Sequence, residues 1–200
     1  NFVDALSGEN DDVINPATGQ VITSVPSSNA EDANVVVEAA KSAFPSWAKT
    51  TPRERSEKLH ALADVLEKNI DELKSIESTN VGKPVSIIDF EFDLTIDNIR
   101  FFAGATRTMA TQGAGEYLED HTSYLRREPL GVCVGIAPWN YPLNMAIWKL
   151  GPALAAGNTF ILKPSELTPL SALKMAEFAA DIFPAGVLNV VTGQGETLGD

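Results

Sequence analysis

Apolar residues recur at helical spacing in the first part of the chain. After the acidic residues Glu31 and Asp32, they fall at i, i+3, i+4, i+7 and i+11: Ala33, Val36, Val37, Ala40 and Phe44. A capping box with proline at the first helical position, residues 51–54, opens a second amphipathic stretch. Its apolar positions are Leu59, Leu62, Ala63, Leu66 and Ile70. We predict two helices whose apolar faces pack in a core.

The helical pattern then continues in two further stretches. It runs through Leu73 and Ile76, stops at Gly82-Lys83-Pro84, and returns from about residue 87 to residue 109. The first 110 residues are therefore predicted to be mostly helical. For Glu91, in the last stretch, we expect a position on the surface, with an acid near the mouth of a substrate tunnel as the alternative.

Two segments have the pattern of short antiparallel hairpins. Residues 14–26 combine turn chemistry at Asn15-Pro16 and Thr18-Gly19 with alternating Val21, Thr23 and Val25. Residues 113–130 form two extended pieces around the turn-forming Glu119-Asp120. Because an exposed hairpin invites pairing with another chain, we expect the second hairpin to mediate oligomerisation.

From residue 131 onward, short apolar runs alternate with helical patterns. We predict strands near Val132–Ala137, Thr159–Leu162 and Val187–Val191, which makes a βαβαβ unit with a parallel sheet. The predicted fold class is α/β. It has three parts: an amino-terminal helical part at 1–112, a projecting hairpin at 113–130 and the βαβαβ core at 131–200.

Composition narrows the class of protein. With 44% hydrophobic and 21% charged residues, the chain can bury a core. Its formal net charge of -12 repels polyanions, so we predict no nucleic-acid partner. We find no run of about 18 apolar residues and no signal-peptide pattern, so we expect no membrane span and a cytoplasmic location. The first residue is Asn rather than Met, so we expect a trimmed start.

Polar residues follow two of the predicted strands at the point where each strand ends. Ligands bind at the carboxyl ends of parallel strands, so Ala137–Asn140 and Lys163–Glu166 are expected to face one crevice. The Asn140 amide could stabilise a developing oxyanion, and the alternative is a helix N-cap before Tyr141-Pro142. A bare charge beside a buried strand is costly, so Lys163 and Glu166 should reach solvent or a ligand.

The same strand ends suggest a dinucleotide. A carboxylate such as Glu166 can accept hydrogen bonds from ribose hydroxyls and would repel a 2′-phosphate, which favours NAD over NADP. The glycines of the last loop, Gly193, Gly195 and Gly199, could let a helix N-terminus approach a pyrophosphate, with a plain turn as the alternative.

Other reactive side chains give weaker signals. Tyr141 and Trp148 are seven residues apart, so both rings can line one helix face together with Asn144, usually as core packing. Cys133, the single cysteine, lies in a strand and is expected to be a buried, inert thiol. His60 and His121 lack metal-ligand spacing, so we predict no metal site.

Several long segments resemble the aldehyde dehydrogenase superfamily, and the similarity covers essentially all 200 residues. They are GKP, RFFAGATR, AGEYLEDHTSYLRREPLGV, IAPWNYPL, KPSE and DIFPAGVLNV. They are most similar to bacterial 4-aminobutyraldehyde (1-pyrroline) and betaine-aldehyde dehydrogenases. The resemblance implies a Rossmann-like cofactor domain, dimers pairing into tetramers, and a reactive cysteine and a water-activating glutamate located beyond this amino-terminal part.

The resemblance also implies roles for individual residues. Asn140 would hydrogen-bond the aldehyde oxygen, and Lys149 resembles a charge-relay lysine, although a solvated or ion-paired lysine is the alternative. Tyr141 and Trp148 would bind a cationic substrate amine. The cofactor would contact Ala137, Pro138, Trp139, Lys163, Pro164, Ser165, Glu166, Gly195 and Gly199.

These observations lead to one preferred function and its alternatives. We expect the intact protein to oxidise an aldehyde with NAD, converting 4-aminobutyraldehyde to 4-aminobutanoate. Betaine aldehyde or another aldehyde is the alternative substrate. A noncatalytic fragment or binding module that lacks the nucleophile is the alternative from another class. A short dehydrogenase would need a Tyr-x-x-x-Lys pair, which the sequence lacks.

Overall fold

The computed structural model describes residues 2–109 and 113–198. Within them, a hairpin, four consecutive helices and a second hairpin come first, and strands and helices alternate from residue 132 onward, as predicted. The strands are β1 (Asn10–Ile14), β2 (Val21–Pro26), β3 (Ala114–Leu118), β4 (His121–Tyr124), β5 (Val132–Ile136), β6 (Thr159–Lys163) and β7 (Leu188–Val190). The helices are α1 (Ala30–Trp47), α2 (Pro52–Lys68), α3 (Ile70–Val81), α4 (Val85–Thr108), α5 (Pro142–Ala155), α6 (Leu170–Ala179) and α7 (Gly195–Leu198).

The helix ends follow from local sequence. The Thr51 hydroxyl accepts from the Glu54 amide at 3.3 Å, and the Glu54 carboxylate accepts from the Thr51 amide at 2.6 Å, so the predicted capping box is confirmed. α1 has a capping box of its own, formed by Asn29 and Asp32. α3 ends at Gly82, whose φ of 75° is the left-handed conformation that glycine tolerates at a helix C-terminus.

The parallel sheet has the strand order β5-β6-β7. Val132 pairs with Thr159 and Ile136 with Lys163, so β5 and β6 end side by side. The central strand β6 is buried along its whole length. Helices lie on both faces of the sheet, which is why β6 reads as a continuous apolar run rather than as an alternating strand.

The two faces of β6 belong to different cores. Phe160 and Leu162 pack in a large cluster with apolar side chains of α2, α4, α5 and α6. Ile161 points to the opposite face and packs against Ala40 of α1. This division follows from the two-residue period of a strand. The larger cluster therefore joins the helical part to the βαβαβ unit.

The predicted buried positions are mostly confirmed. In α2, Leu59, Leu62, Ala63 and Leu66 are all fully buried. In α1 the predicted face is buried at Ala40 and only half-buried at its other members, whereas the fully buried ring is that of Trp47.

Both predicted hairpins form, one from β1 and β2 and one from β3 and β4. Over the residues that the structure describes, no helix is long and apolar enough to cross a membrane.

Candidate functional site

The turn after β5 presents the Asn140 amide to solvent. The Ala137 amide donates to the Lys163 carbonyl oxygen at 2.9 Å, which continues the sheet by one hydrogen bond beyond the strand. Asn140 is exposed, and no hydrogen bond of its side chain is found within residues 2–109 and 113–198. The capping alternative is wrong: Tyr141 occupies the N-cap position of α5, without a side-chain cap, and Pro142 is the first helical residue. The Asn140 amide is thus free to bind a ligand.

The turn after β6 carries an ion pair. Lys163 Nζ lies 2.7 Å from Glu166 Oε2, and the two side chains are 11% and 33% exposed. This contact, first through its hydrogen bond and also through the lysine charge, lowers the pKa of Glu166. The sequence argument placed each charge in solvent or on a ligand, whereas here they neutralise each other. The burial of Lys163 is possible because Glu166 balances its charge.

Side-chain hydrogen bonds join the two turns to each other and to α3. The Thr168 hydroxyl donates to the Trp139 carbonyl oxygen at 3.2 Å. From α3, the buried Asn80 amide donates to the Leu167 carbonyl oxygen at 3.0 Å and accepts from the Leu170 amide at 3.2 Å. The turns therefore lie side by side, as the strand-end argument predicts, and α3 braces one of them.

A cavity of about 220 Å³ lies beside the sheet, between α1 and the last loop. Its wall is mainly apolar and includes Val36, Ile136 and Ile161. Two of the predicted cofactor residues, Lys163 and Gly195, line it together. Asn140 and Glu166 are not among its lining residues, so this cavity does not span the whole predicted crevice.

The remaining cofactor candidates differ in accessibility. Pro164 and Ser165 are buried, whereas Trp139 is exposed and Pro138 is half-buried. Gly195 begins the short helix α7, and Gly199 lies outside the described residues. At Gly193, where φ is 148°, a Cβ atom would lie 2.6 Å from the Ser28 carbonyl oxygen, so close backbone approach requires glycine there.

The candidate substrate residues project from α5 and from its N-cap. Tyr141 is 42% and Trp148 is 49% exposed, so burial in the core does not account for either ring. Asn144, expected on the same face, is instead buried, and its amide oxygen is 3.5 Å from the Asn98 amide nitrogen. Lys149 is half-buried, and the part of the chain that the structure describes offers it no ion-pair partner.

Sequence reasoning missed a buried charged cluster beside Tyr141, formed by Glu77 of α3, Lys83 and Glu91 of α4. Lys83 Nζ pairs with Glu91 and lies 3.5 Å from Glu77 Oε1. The expected surface position of Glu91 is wrong, because its side chain is 2% exposed. One signal was available: Glu77 follows the buried Leu73 at i+4, which puts a charge on the inner face of α3.

Burial dominates the electrostatics of this cluster. It raises the pKa of Glu77 to about 7, and the Lys83 ammonium opposes this shift only in part. Glu77 Oε2 and the Ser171 hydroxyl are buried, and neither has a hydrogen-bond partner among the described residues. The Lys83 ammonium also lies over the Tyr141 ring, 4.5 Å from its centroid. The cluster therefore contacts the residue that follows Asn140.

The thiol and the imidazoles play no evident part at this edge of the sheet. Cys133 is half-buried, and burial raises the pKa of its thiol, which keeps it protonated. His60 is half-buried in α2, and His121 is exposed beside the Glu119 carbonyl oxygen. Across the described ranges, no three His, Cys, Asp or Glu side chains are grouped so that they could hold a metal ion.

A parallel sheet covered by helices on both faces, with polar groups at adjacent strand ends, defines an α/β protein whose ligand-binding edge is the carboxyl end of the sheet. The sequence model described as the aldehyde dehydrogenase family matches residues 2–200. The chain belongs to the aldehyde dehydrogenase family.

Relatives of known sequence support this assignment. An aldehyde dehydrogenase of Emericella nidulans is 44% identical over 200 residues, which covers 99% of this chain and 40% of that protein. An EPTC-inducible aldehyde dehydrogenase of Rhodococcus erythropolis is 45% identical, over 92% of this chain and 36% of its own length. The chain thus spans less than half of each of these relatives.

Solved structures have the same fold. The crystal structure of PnpE from Pseudomonas sp. WBC-3 matches with a TM-score of 0.96 and 41% identity, over 100% of this chain and 41% of that chain. A betaine aldehyde dehydrogenase from Staphylococcus aureus, solved in complex with NAD+, matches with a TM-score of 0.94 and 33% identity, over 100% of this chain and 40% of that one.

Proposed function

We propose that the intact protein oxidises an aldehyde to a carboxylic acid with NAD, and that these 200 residues supply its cofactor-binding part. The observation that carries this proposal is that the exposed Asn140 amide and the Lys163–Glu166 pair follow adjacent parallel strands, β5 and β6. The Thr168–Trp139 hydrogen bond joins the two turns. The overall reaction converts aldehyde, NAD+ and water to acid, NADH and a proton. The nucleophile comes from outside this segment, because Cys133 is the only cysteine and its thiol stays protonated.

The residues at the strand ends fit a nicotinamide dinucleotide. Glu166 remains one-third exposed and ionised, so it can accept hydrogen bonds from a ribose diol, and Lys163 can donate to the same sugar. Ala137, Pro138 and Trp139, with Pro164 and Ser165, border the nicotinamide and ribose positions. Gly195, at the start of α7, borders the pyrophosphate. The cofactor, when bound, accepts a hydride from the substrate carbon.

Asn140 acts on the substrate oxygen. An exposed amide that has no hydrogen-bond partner among the described residues can donate to the oxyanion that develops when a thiolate attacks an aldehyde. Changing Asn140 to Ala should lower kcat by roughly 10²–10³-fold in the intact protein. Asn34, exposed on α1, provides the matched control variant Asn34→Ala, which should keep parental turnover. Undiminished NADH formation by the Asn140→Ala variant would contradict the assigned role.

For the substrate, we propose an aminoaldehyde such as 4-aminobutyraldehyde. The exposed rings of Tyr141 and Trp148 can attract an ammonium group by cation–π interaction, and Lys149 can relay charge beside them. Lys83 already occupies one face of Tyr141, so a substrate amine can use only the other face. The measurement is kcat/KM across aminoaldehydes, betaine aldehyde and aliphatic aldehydes. Equal values for the charged and the aliphatic substrates would exclude an aromatic amine site.

A second candidate is a binding module without catalysis. It is favoured by the state of Cys133, because burial raises the pKa of this thiol and the 200 residues contain no other cysteine. Calorimetric titration of the 200-residue chain with NAD tests it. Binding without NADH formation supports the module, and NADH formation by this chain alone excludes it.

A further inference from the structure

The buried cluster of Glu77, Lys83 and Glu91 is built around a cation that also faces an aromatic ring. The side chain of Lys83 is 8% exposed, that of Glu77 is 0% exposed and that of Glu91 is 2% exposed. Burying charges is costly even when they are paired, and such clusters often stabilise a protein no more than apolar residues of the same volume would. Stability alone therefore does not account for this arrangement.

The backbone of Lys83 is fixed where α3 gives way to α4. Gly82 ends α3 in the left-handed conformation, and the Ser78 hydroxyl donates to the Lys83 carbonyl oxygen at 2.9 Å. From this anchored position the lysine stem extends inward, where Glu91 and Glu77 hold its ammonium group. The cation is thereby kept at one place, 4.5 Å from the centroid of the Tyr141 ring.

Few other side-chain contacts hold the Asn140–Tyr141 turn, which Lys83 contacts through the Tyr141 ring. Tyr141 is the N-cap of α5 but supplies no side-chain cap, and no hydrogen bond of the Asn140 or Tyr141 side chain is found over the ranges that the structure describes. The Tyr141 carbonyl oxygen accepts from the Met145 amide at 2.9 Å, the first hydrogen bond of the helix. A displacement of the Tyr141 backbone would therefore move Asn140 with it and strain that bond, and a ring held in place by Lys83 opposes such a displacement.

α3 reaches the second turn as well. Asn80, one helical turn after Glu77, bonds to the backbone of Leu167 and Leu170, and Thr168 bonds to the Trp139 carbonyl oxygen. A closed path of contacts thus runs from α3 through Lys83 to the Asn140 turn, and back through the turn after β6. The turns at both strand ends are therefore linked to α3, one through Asn80 and the other through Lys83.

We propose that Lys83, held by Glu77 and Glu91, is a positioning residue that fixes the Asn140–Tyr141 turn by its contact with the Tyr141 ring. The role assigned to Asn140 rests on the proposed function, whereas the fixing of the turn does not. Lys83 acts through Tyr141 and touches neither substrate nor cofactor. It fixes the position of the Asn140 amide relative to Lys163 and Glu166.

Hydrogen exchange of the Met145 amide tests the structural step without requiring activity. Lys83→Met keeps the stem and removes the ammonium group. Because one cation–π contact is lost, we expect about fivefold faster exchange of the Met145 amide. Lys83→Arg keeps the charge and should exchange like the parent. Lys74→Met is the matched control. Lys74 also joins α3 to α4 through an ion pair, with Asp89 at 2.7 Å, and it is not part of the contacts that lead to Tyr141.

A double variant protects this test against misfolding. Lys83→Met with Glu91→Gln removes both partners of the buried pair, so no carboxylate of that pair is left without its cation. It should show the same faster exchange at Met145. Parental exchange at Met145 in both methionine variants overturns the proposal. Equal acceleration throughout the chain also overturns it, because that result describes a purely stabilising role.

Steady-state kinetics of the intact protein test the consequence for turnover. Lys83→Met should lower kcat about tenfold, the effect of a misplaced oxyanion donor, with a much smaller change in the KM for NAD and with rescue by Lys83→Arg. Unchanged kcat in Lys83→Met, together with a large loss in Asn140→Ala, overturns the positioning role. Unchanged kcat in both variants contradicts the role of Asn140 instead, and the exchange result then decides the fixing of the turn by itself.

Discussion

At the scale of single residues, Glu77 has the most unusual environment. It is fully buried on α3, and burial raises the pKa of its carboxyl group from 4.5 to about 7. The folded state therefore holds a proton on Glu77 between these values, whereas the unfolded state has released it. Because the folded state binds more protons in this window, the contribution of Glu77 to stability is present below pH 4.5 and is lost as the pH rises towards 7.

A Glu77→Gln variant should remove this pH dependence. Glutamine mimics the protonated carboxyl group, so the variant and the parent should be similarly stable near pH ~5. Towards pH ~8 the variant should become the more stable of the two, by ~3 kcal/mol. Urea unfolding at both pH values measures the difference. Glu9→Gln, at an exposed carboxylate, is the control and should show little change, and a Glu77→Gln difference that shrinks with rising pH would contradict the assignment.

A second prediction at this scale concerns Glu166. Changing Glu166 to Gln should weaken NAD binding about tenfold, the effect of losing a hydrogen bond to a charged group. Glu177→Gln is the matched control, because Glu177 also pairs with a lysine three residues away, Lys174 at 3.1 Å, but on α6. Calorimetric titration with NAD gives both dissociation constants. Equal weakening by the two variants would show that the effect is not local to the strand end.

At the scale of helices and strands, the cap of α2 has a measurable value. Thr51 caps the helix reciprocally with Glu54, so Thr51→Ala should lower the free energy of unfolding by ~1 kcal/mol. Thr79→Ala, at an exposed position within α3, is the control, and the better helix propensity of alanine should make it neutral or slightly stabilising. Thermal or urea unfolding measures both. A smaller loss in Thr51→Ala than in Thr79→Ala would contradict the cap.

Local patterns predicted these elements well because their causes lie within a few residues. The capping box of α2 lies at its predicted residues, and all three strands of the parallel sheet lie within one residue of their predicted bounds. The two hairpins form around their predicted turns, although the first begins four residues earlier and the second ends six residues earlier than predicted. The apolar spacing predicted the buried face of α1 less accurately. Trp47 is fully buried because of what packs against the helix, and the spacing alone does not reveal this.

Features that depend on distant contacts were not predicted. Glu91 looked like a surface acid because the sequence does not show that Lys83, in the turn between α3 and α4, points inward and pairs with it. For Asn140 the sequence left a helix cap open as the alternative, because the spacing to Pro142 does not reveal that Tyr141 takes the N-cap position. For the candidate site, sequence gave the residue types and the strand ends, and tertiary packing decided which of them are paired and which are free.

At the scale of the whole molecule, the β3–β4 hairpin projects aromatic and aliphatic side chains. Tyr117 is 78% and Tyr124 is 73% exposed. Large exposed apolar groups on a hairpin fit association with a second copy, so oligomerisation through this segment stays our prediction. Tyr124→Glu should convert the dimer or tetramer to a smaller species in light scattering. Val35→Glu, at an exposed position on α1, should not, and a parent that is already monomeric would contradict the prediction.

The enclosed position of β6 has a consequence for how the chain reaches its native state. Each of its neighbours is parallel to it, so neither pairing can close through a short turn, and Val132 must find Thr159 across the intervening α5. Such distant pairing is slow, because loop-closure entropy is lost before the contacts form. The two hairpins, whose strands are sequence neighbours, can assemble early. We therefore expect the polar strand ends to form after the hairpins, once β5 and β6 have paired.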